Sequence, residues 1–198
     1  MKTASVNSRE RNLSIHHTAP EKVIATWLFV LCGMVFFMVI LGGLTRLTHS
    51  GLSMVTWRPM TGWLPPIDAQ EWQSVFDLYK ETPEFKKIND GMTIEEFKSI
   101  FWLEYSHRLW GRIIGIVFVL PFLFFLLKGW VSRGLAPRLI VILFMGGFQG
   151  VLGWYMVKSG LIENPDVSQY RLVAHLSAAI IIYGYMFWVA ISLMRVRH

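Results

Sequence analysis

The chain has 198 residues, a formal net charge of +6, 54% hydrophobic residues and only 16% charged ones. Soluble domains carry about 25% charged residues, so this balance argues against an ordinary soluble enzyme, a disordered tail and a secreted disulfide scaffold. A single cysteine, Cys32, excludes an internal disulfide and a thiolate metal cluster, and the positive charge would speak for nucleic acid only as a clustered basic face.

In chain order, a tail of residues 1–22 carries Lys2, Arg9, Arg11 and Lys22. Val23 to Leu44 is then 22 residues without a charge, too long an apolar run for a cleaved signal peptide. A bilayer core of about 30 Å takes about 20 apolar residues at 1.5 Å each, so this run is a first membrane span. A long connection follows, from residue 46 to about 101. Within it, Asp68-Ala-Gln-Glu71 reads as a capping box, with Trp72, Phe76 and Tyr79 on one helical face behind it. That short helix either rests its apolar face on lipid headgroups or covers a site. Thr93-Ile-Glu-Glu96 is a second capping box, opening a helix that runs on into span two.

Ile113 to Leu127 is 15 apolar residues, extended upstream through Leu109 and Trp110 to membrane length if Arg112 sits at an interface or faces protein. Pro121 kinks this span at most, because a neighbouring helix can satisfy the carbonyl it frees. Leu139 to Val157 is 19 residues, and Leu172 to Met194 is 23 with His175 as its only strongly polar group. The expected fold is therefore an all-α integral membrane protein. Four transmembrane helices, about 23–45, 102–128, 138–157 and 171–194, form a bundle over 23–194 with a long outer loop containing short helices. Lys and Arg concentrate in the tail, in the connection from Lys128 to Arg138 and at Arg195 and Arg197. The positive-inside rule thus puts both termini, including residues 195–198, in the cytoplasm. The charge orients the chain and calls for no nucleic acid.

Ionisable groups at membrane depth are costly and by default functional. They are Glu104, His107, Arg108 and Arg112 around the start of span two, and His175 in span four. Spans two and four run the same way, so both histidines fall near the outer boundary, on diagonal helices facing one interior. Two imidazoles at one level on facing helices suit axial ligation of haem iron. Taken singly, each is as readily an interfacial histidine bonded to a carbonyl. Glycines accompany them. Glu104, His107, Gly111 and Gly115 form one stripe; Gly146, Gly150 and Gly153 form another. Such stripes also serve ordinary helix packing. Glu104 and His107 make an E-x-x-H pair, but a di-iron centre needs further inward carboxylates that the spans lack. No H-E-x-x-H, phosphate loop or Ser-His-Asp set is present. What remains is haem or a quinone-like apolar ligand. Arg46, Arg108, Arg112 and Arg171 lie at the outer ends of the spans, where they either bond haem propionates or anchor helix ends at headgroups.

At these residues the sequence resembles haem A synthase, in the subgroup found in alphaproteobacteria and mitochondria. The matching stretches are Gly42-Gly-Leu-Thr-Arg-Leu-Thr-His-Ser-Gly-Leu-Ser53, Trp57-Arg-Pro-Met-Thr-Gly-Trp-Leu-Pro-Pro66, Phe101-Trp-Leu-Glu-Tyr-Ser-His-Arg-Leu-Trp-Gly-Arg112, Gln149-Gly-Val-Leu-Gly-Trp-Tyr-Met-Val-Lys-Ser-Gly160 and Asp166-Val-Ser-Gln-Tyr-Arg-Leu-Val-Ala-His175. The resemblance runs from about Ala25 to His198. It implies conversion of haem O to haem A by successive hydroxylation of a ring methyl to a formyl group. It makes His107 and His175 iron ligands and Glu104 a catalytic carboxylate that manages protons or a cationic intermediate; Arg46, Arg108, Arg112 and Arg171 are the candidate haem-binding cations.

It further implies eight spans in two halves. This chain would be the half that holds the substrate haem O, cut before a second four-helix half that carries haem b. Some relatives have a cysteine pair in the first outer loop; this chain, like the subgroup it resembles, has none. The implied setting is the inner membrane of a bacterium, or of a mitochondrion if the source is eukaryotic. Membrane lipid, a haem O synthase and a second copy of the chain are the expected partners besides haem O. Two further readings stay open: a haem-b electron-transfer subunit, and a haem-free membrane assembly or quinone-binding protein.

Overall fold

A computed structural model describes residues 19–56, 62–161 and 168–195. The tail charges Lys2, Arg9 and Arg11, the stretch Trp57 to Thr61, Asp166 and Arg197 lie outside the described residues. Six helices follow in order: α1 Ala19–Leu47, α2 Ala69–Lys80, α3 Pro83–Lys87, α4 Ile94–Leu127, α5 Ala136–Gly160 and α6 Gln169–Met194. Four of them (α1, α4, α5 and α6) are long and apolar enough to cross a membrane. They alternate in direction, so α2 and α3 lie at one end of the bundle, the loop end. Helix α1 packs on both α4 and α6, and α6 packs on α5. The ring closes only sparsely between α4 and α5, and α4 and α6 are diagonal, with no close backbone approach among the described residues.

The bundle is tightest away from the loop end. There Ile24, Leu28 and Leu31 of α1 meet Leu139 of α5 and Met186 and Val189 of α6, all fully or almost fully buried. Pro121 lies inside α4 and has no N–H to give Val117 four residues earlier. The freed Val117 carbonyl accepts the indole N–H of Trp27 from α1 at 2.7 Å. The Trp27 ring also packs on Phe118 and Phe125, with centroids 5.1 and 5.3 Å away. A second indole bond, from Trp110 to the Met34 carbonyl at 2.9 Å, ties the same two helices nearer the loop end. Replacing Trp27 with Phe keeps most of the packing but orphans the Val117 oxygen in an apolar medium. The expected loss is about 0.6–1.7 kcal/mol, the range of interhelical hydrogen bonds in membranes, read by denaturation in mixed micelles.

The loop end has a small aromatic core of its own. Asp68 caps α2 by accepting the Glu71 N–H at 2.7 Å, while the Glu71 carboxylate takes the Ile67 N–H at 2.8 Å. The apolar face of α2, which the sequence left between headgroups and a site to cover, has a partner within the chain. It packs on the first turns of α4: Trp72 meets Phe101 and Phe76 meets Phe97, both at 5.0 Å between ring centroids. This works because α4 starts well before the membrane. Thr93 and Glu96 form the complete capping box expected at its start, and the helix then runs unbroken to Leu127. Helix α3 was not anticipated. Thr82 caps it and Pro83 occupies its first position, a start signal too short to leave a periodic pattern. Behind it, Tyr79 is fully buried, accepts from Asn89 at 2.7 Å and donates to Glu84 at 3.1 Å. Burial and the nearby Glu84 carboxylate push its phenol above the ordinary range.

Candidate functional site

The ionisable residues of the spans gather at the loop end, where the bundle is loosest. His107 projects from α4 onto α1, where its ring lies against Gly42. A Cβ at Gly42 would stand 3.1 Å from the imidazole Cε1. His175 projects from α6 onto α5 in the same manner, where a Cβ at Gly153 would stand 3.1 Å from its Cε1 and 3.7 Å from Nε2. Contacts that close force a neighbour to move, so each ring occupies space that only glycine leaves open. Of the glycine stripes, Gly111 meets Met38 of α1 in the same tight way, while Gly115, Gly146 and Gly150 face open space. The two imidazoles thus sit on diagonal helices, α4 and α6. In both rings Nδ1 is enclosed and has no hydrogen-bond partner. An enclosed polar atom without a partner is costly.

Glu104, one turn before His107, is 3% exposed. Its Oε2 accepts the Ser53 hydroxyl at 2.7 Å and the Met54 N–H at 2.8 Å, and its Oε1 pairs with the Arg108 guanidinium. Arg108 also donates to the Met54 carbonyl at 3.0 Å and the Thr56 carbonyl at 3.4 Å. The Glu104–Arg108 pair, at i and i+4 on α4, therefore fastens the segment that follows α1 across the front of the helix. Nothing in the sequence spacing shows that clasp, because its partners lie about fifty residues apart.

The other arginines have separate surroundings. Arg46 is in the last turn of α1. Arg112 stacks 5.6 Å over Trp63, and Arg171 stacks 5.1 Å over Tyr155. Between α4 and α5 a cavity of about 270 Å³ is lined by Arg108, Lys158, Trp154, Met54, Val55 and Leu161. Lys158, in the last turn of α5, lies 4.9 Å over the Trp154 ring at this cavity. Gln149 of α5 is a further residue the sequence reading passed over. Its amide nitrogen donates to the His175 carbonyl at 2.9 Å, and its oxygen is enclosed without a partner. An amide in an otherwise apolar span was the available signal.

Among the described residues no group of three or more His, Cys, Asp or Glu side chains could hold a bare metal ion. A haem brings four ring nitrogens and asks the protein only for axial ligands, so the two-histidine arrangement fits that group.

Residues 25–198 match the family model described as cytochrome oxidase assembly protein. Curated relatives carry the name Heme A synthase. The chain is 56% identical over 171 residues to the protein of Paramagnetospirillum magneticum, covering 86% of this chain and 48% of that one. It is 56% identical over 176 residues to that of Nitrosospira multiformis, covering 89% and 49%. Human Heme A synthase COX15 is 46% identical over 200 residues, covering 98% and 49%. The chain thus spans about half the length of the curated relatives it matches. No solved structure matches it.

Proposed function

Because the chain belongs to the haem A synthase family of cytochrome oxidase assembly proteins, we propose that it holds the substrate haem while a ring methyl of haem O is oxidised to the formyl group of haem A. The observation that carries this reading is the pair of glycine-seated imidazoles on the diagonal helices α4 and α6. His107 and His175 would each give Nε2 to the iron, one from α4 and one from α6. Each ring would lie in the slot left by Gly42 or Gly153.

The propionates are best met at the loop end. Arg108 and Lys158 line the cavity there, Arg46 and Arg171 stand at helix ends of the same side, and Arg112 lies one turn beyond Arg108 on α4. The sparse α4–α5 seam gives the isoprenoid tail of haem O an apolar way out toward lipid. Glu104, a buried carboxylate one turn from His107, is proposed to stabilise positive charge or steer a proton near the reacting methyl. The loop end faces away from the cytoplasm on the positive-inside rule, with both chain ends in the cytoplasm of a bacterial or mitochondrial inner membrane. A haem b in a second, similar four-helix half, a haem O synthase and a second copy of the chain belong to the same proposal.

The test is direct. The purified chain in lipid nanodiscs, titrated with haem O, should give the low-spin spectrum of iron with two imidazole ligands at about one haem per chain. A haem that stays high-spin, or one that partitions only into lipid, would contradict the assignment.

A further inference from the structure

We propose that Gln149 recognises the hydroxyl group on the substrate's tail, its side-chain carbonyl accepting that O–H, and so separates haem O from a haem whose tail carbon is a plain vinyl. This rests on reading the site as a haem pocket. Between Leu139 and Val157 Gln149 is the only amide side chain, and a polar group at such depth is by default functional. Its orientation is set by chemistry. The partner at 2.9 Å is the His175 carbonyl, which can only accept, so the NH2 must face α6 and the oxygen is the atom left over. That oxygen is enclosed and has no donor.

The location fits the ligand. Gln149 lies one turn before Gly153, on which the His175 ring rests, so it sits about 6 Å further from the loop end along α5 at 1.5 Å per residue. A macrocycle carries its propionates and its tail-bearing carbon on opposite edges. With the carboxylates at the loop-end cations, the tail carbon and its hydroxyl fall toward the level of Gln149. A hydroxyl donor there satisfies the stranded acceptor once the side chains covering that oxygen give way to the ligand; a vinyl group leaves it stranded.

Gln149→Leu and Gln149→Met test this in the purified full chain in nanodiscs, each titrated with haem O and with protohaem. Loss of one neutral hydrogen bond should lower haem O affinity by about 5–10-fold, while protohaem affinity changes by less than about twofold. Equal losses for both haems would overturn the proposal, since they would mean that Gln149 only braces α6 or supports His175. Unchanged haem O affinity would overturn it as well. Failure of the wild-type chain to bind either haem would instead sink the haem-site reading beneath it.

Discussion

Replacing His107 or His175 with Ala should abolish the two-imidazole spectrum and weaken haem O binding on the order of 100-fold or more. The magnitude follows from a comparison: losing a residue that merely supports a metal ligand costs about 10–100-fold in affinity, and losing the ligand itself must cost at least as much. Neither substitution should unfold the chain. The main core lies away from these residues, around Leu28, Leu31, Leu139 and Met186, and neither ring forms a hydrogen bond through Nδ1 that the fold would miss. Gly153→Ala in the same titration separates ligation from packing. A methyl there meets the His175 ring at 3.1 Å, while alanine gains about 1 kcal/mol of helix propensity over glycine. The expected pattern is an equal or slightly more stable helix that binds haem roughly tenfold more weakly, a shift of the size seen when a ligand's support is disturbed. A histidine that only anchored a helix end would show no such separation of stability from haem affinity.

The parts of this fold that depend on local pattern were legible before any coordinates. Four apolar runs near 20 residues can do little else than cross a bilayer. Pro121 announced a carbonyl in need of a donor, and Thr93 with Glu96 announced the start of α4. What was not legible depends on register between segments far apart in the chain. Periodicity showed that Trp72, Phe76 and Tyr79 share a face, but not that the overhanging start of α4 would supply Phe97 and Phe101 to cover it. Glycine spacing suggested close approach without revealing that Gly42 faces His107 and Gly153 faces His175. Glu104 stood out as an acid near a span, yet its bonds to Ser53 and Met54 arise only once the segment after α1 folds back over α4. Helix α3 has five residues, too few for a period to register.

Glu104→Ala and Glu104→Gln should part company. The alanine change removes a carboxylate that holds Ser53, Met54 and Arg108 together, with side chains 3% and 9% exposed at the two ends of the ion pair. Breaking a buried pair by deleting one partner costs about 3–5 kcal/mol. The variant should therefore lose stability and free the 53–56 segment, and a loss of turnover in it would say little about chemistry. Glutamine keeps an oxygen for the Ser53 hydroxyl and Met54 N–H but turns its NH2, a donor, toward the Arg108 guanidinium, which then holds only the Met54 and Thr56 carbonyls, so the clasp should be weakened but not lost. A carboxylate offers about four acceptor positions. Three are taken, two on Oε2 and one on Oε1, which leaves Oε1 one position for a proton or for a developing positive charge on substrate. If Glu104 uses that position, Glu104→Gln in the intact protein should bind haem O within about threefold of wild type yet form haem A at least about 100-fold more slowly, the lower range of general acid–base contributions. Near-normal turnover in the glutamine variant would restrict Glu104 to the clasp. The charge would then serve only to keep Arg108 and the segment after α1 in place beside His107.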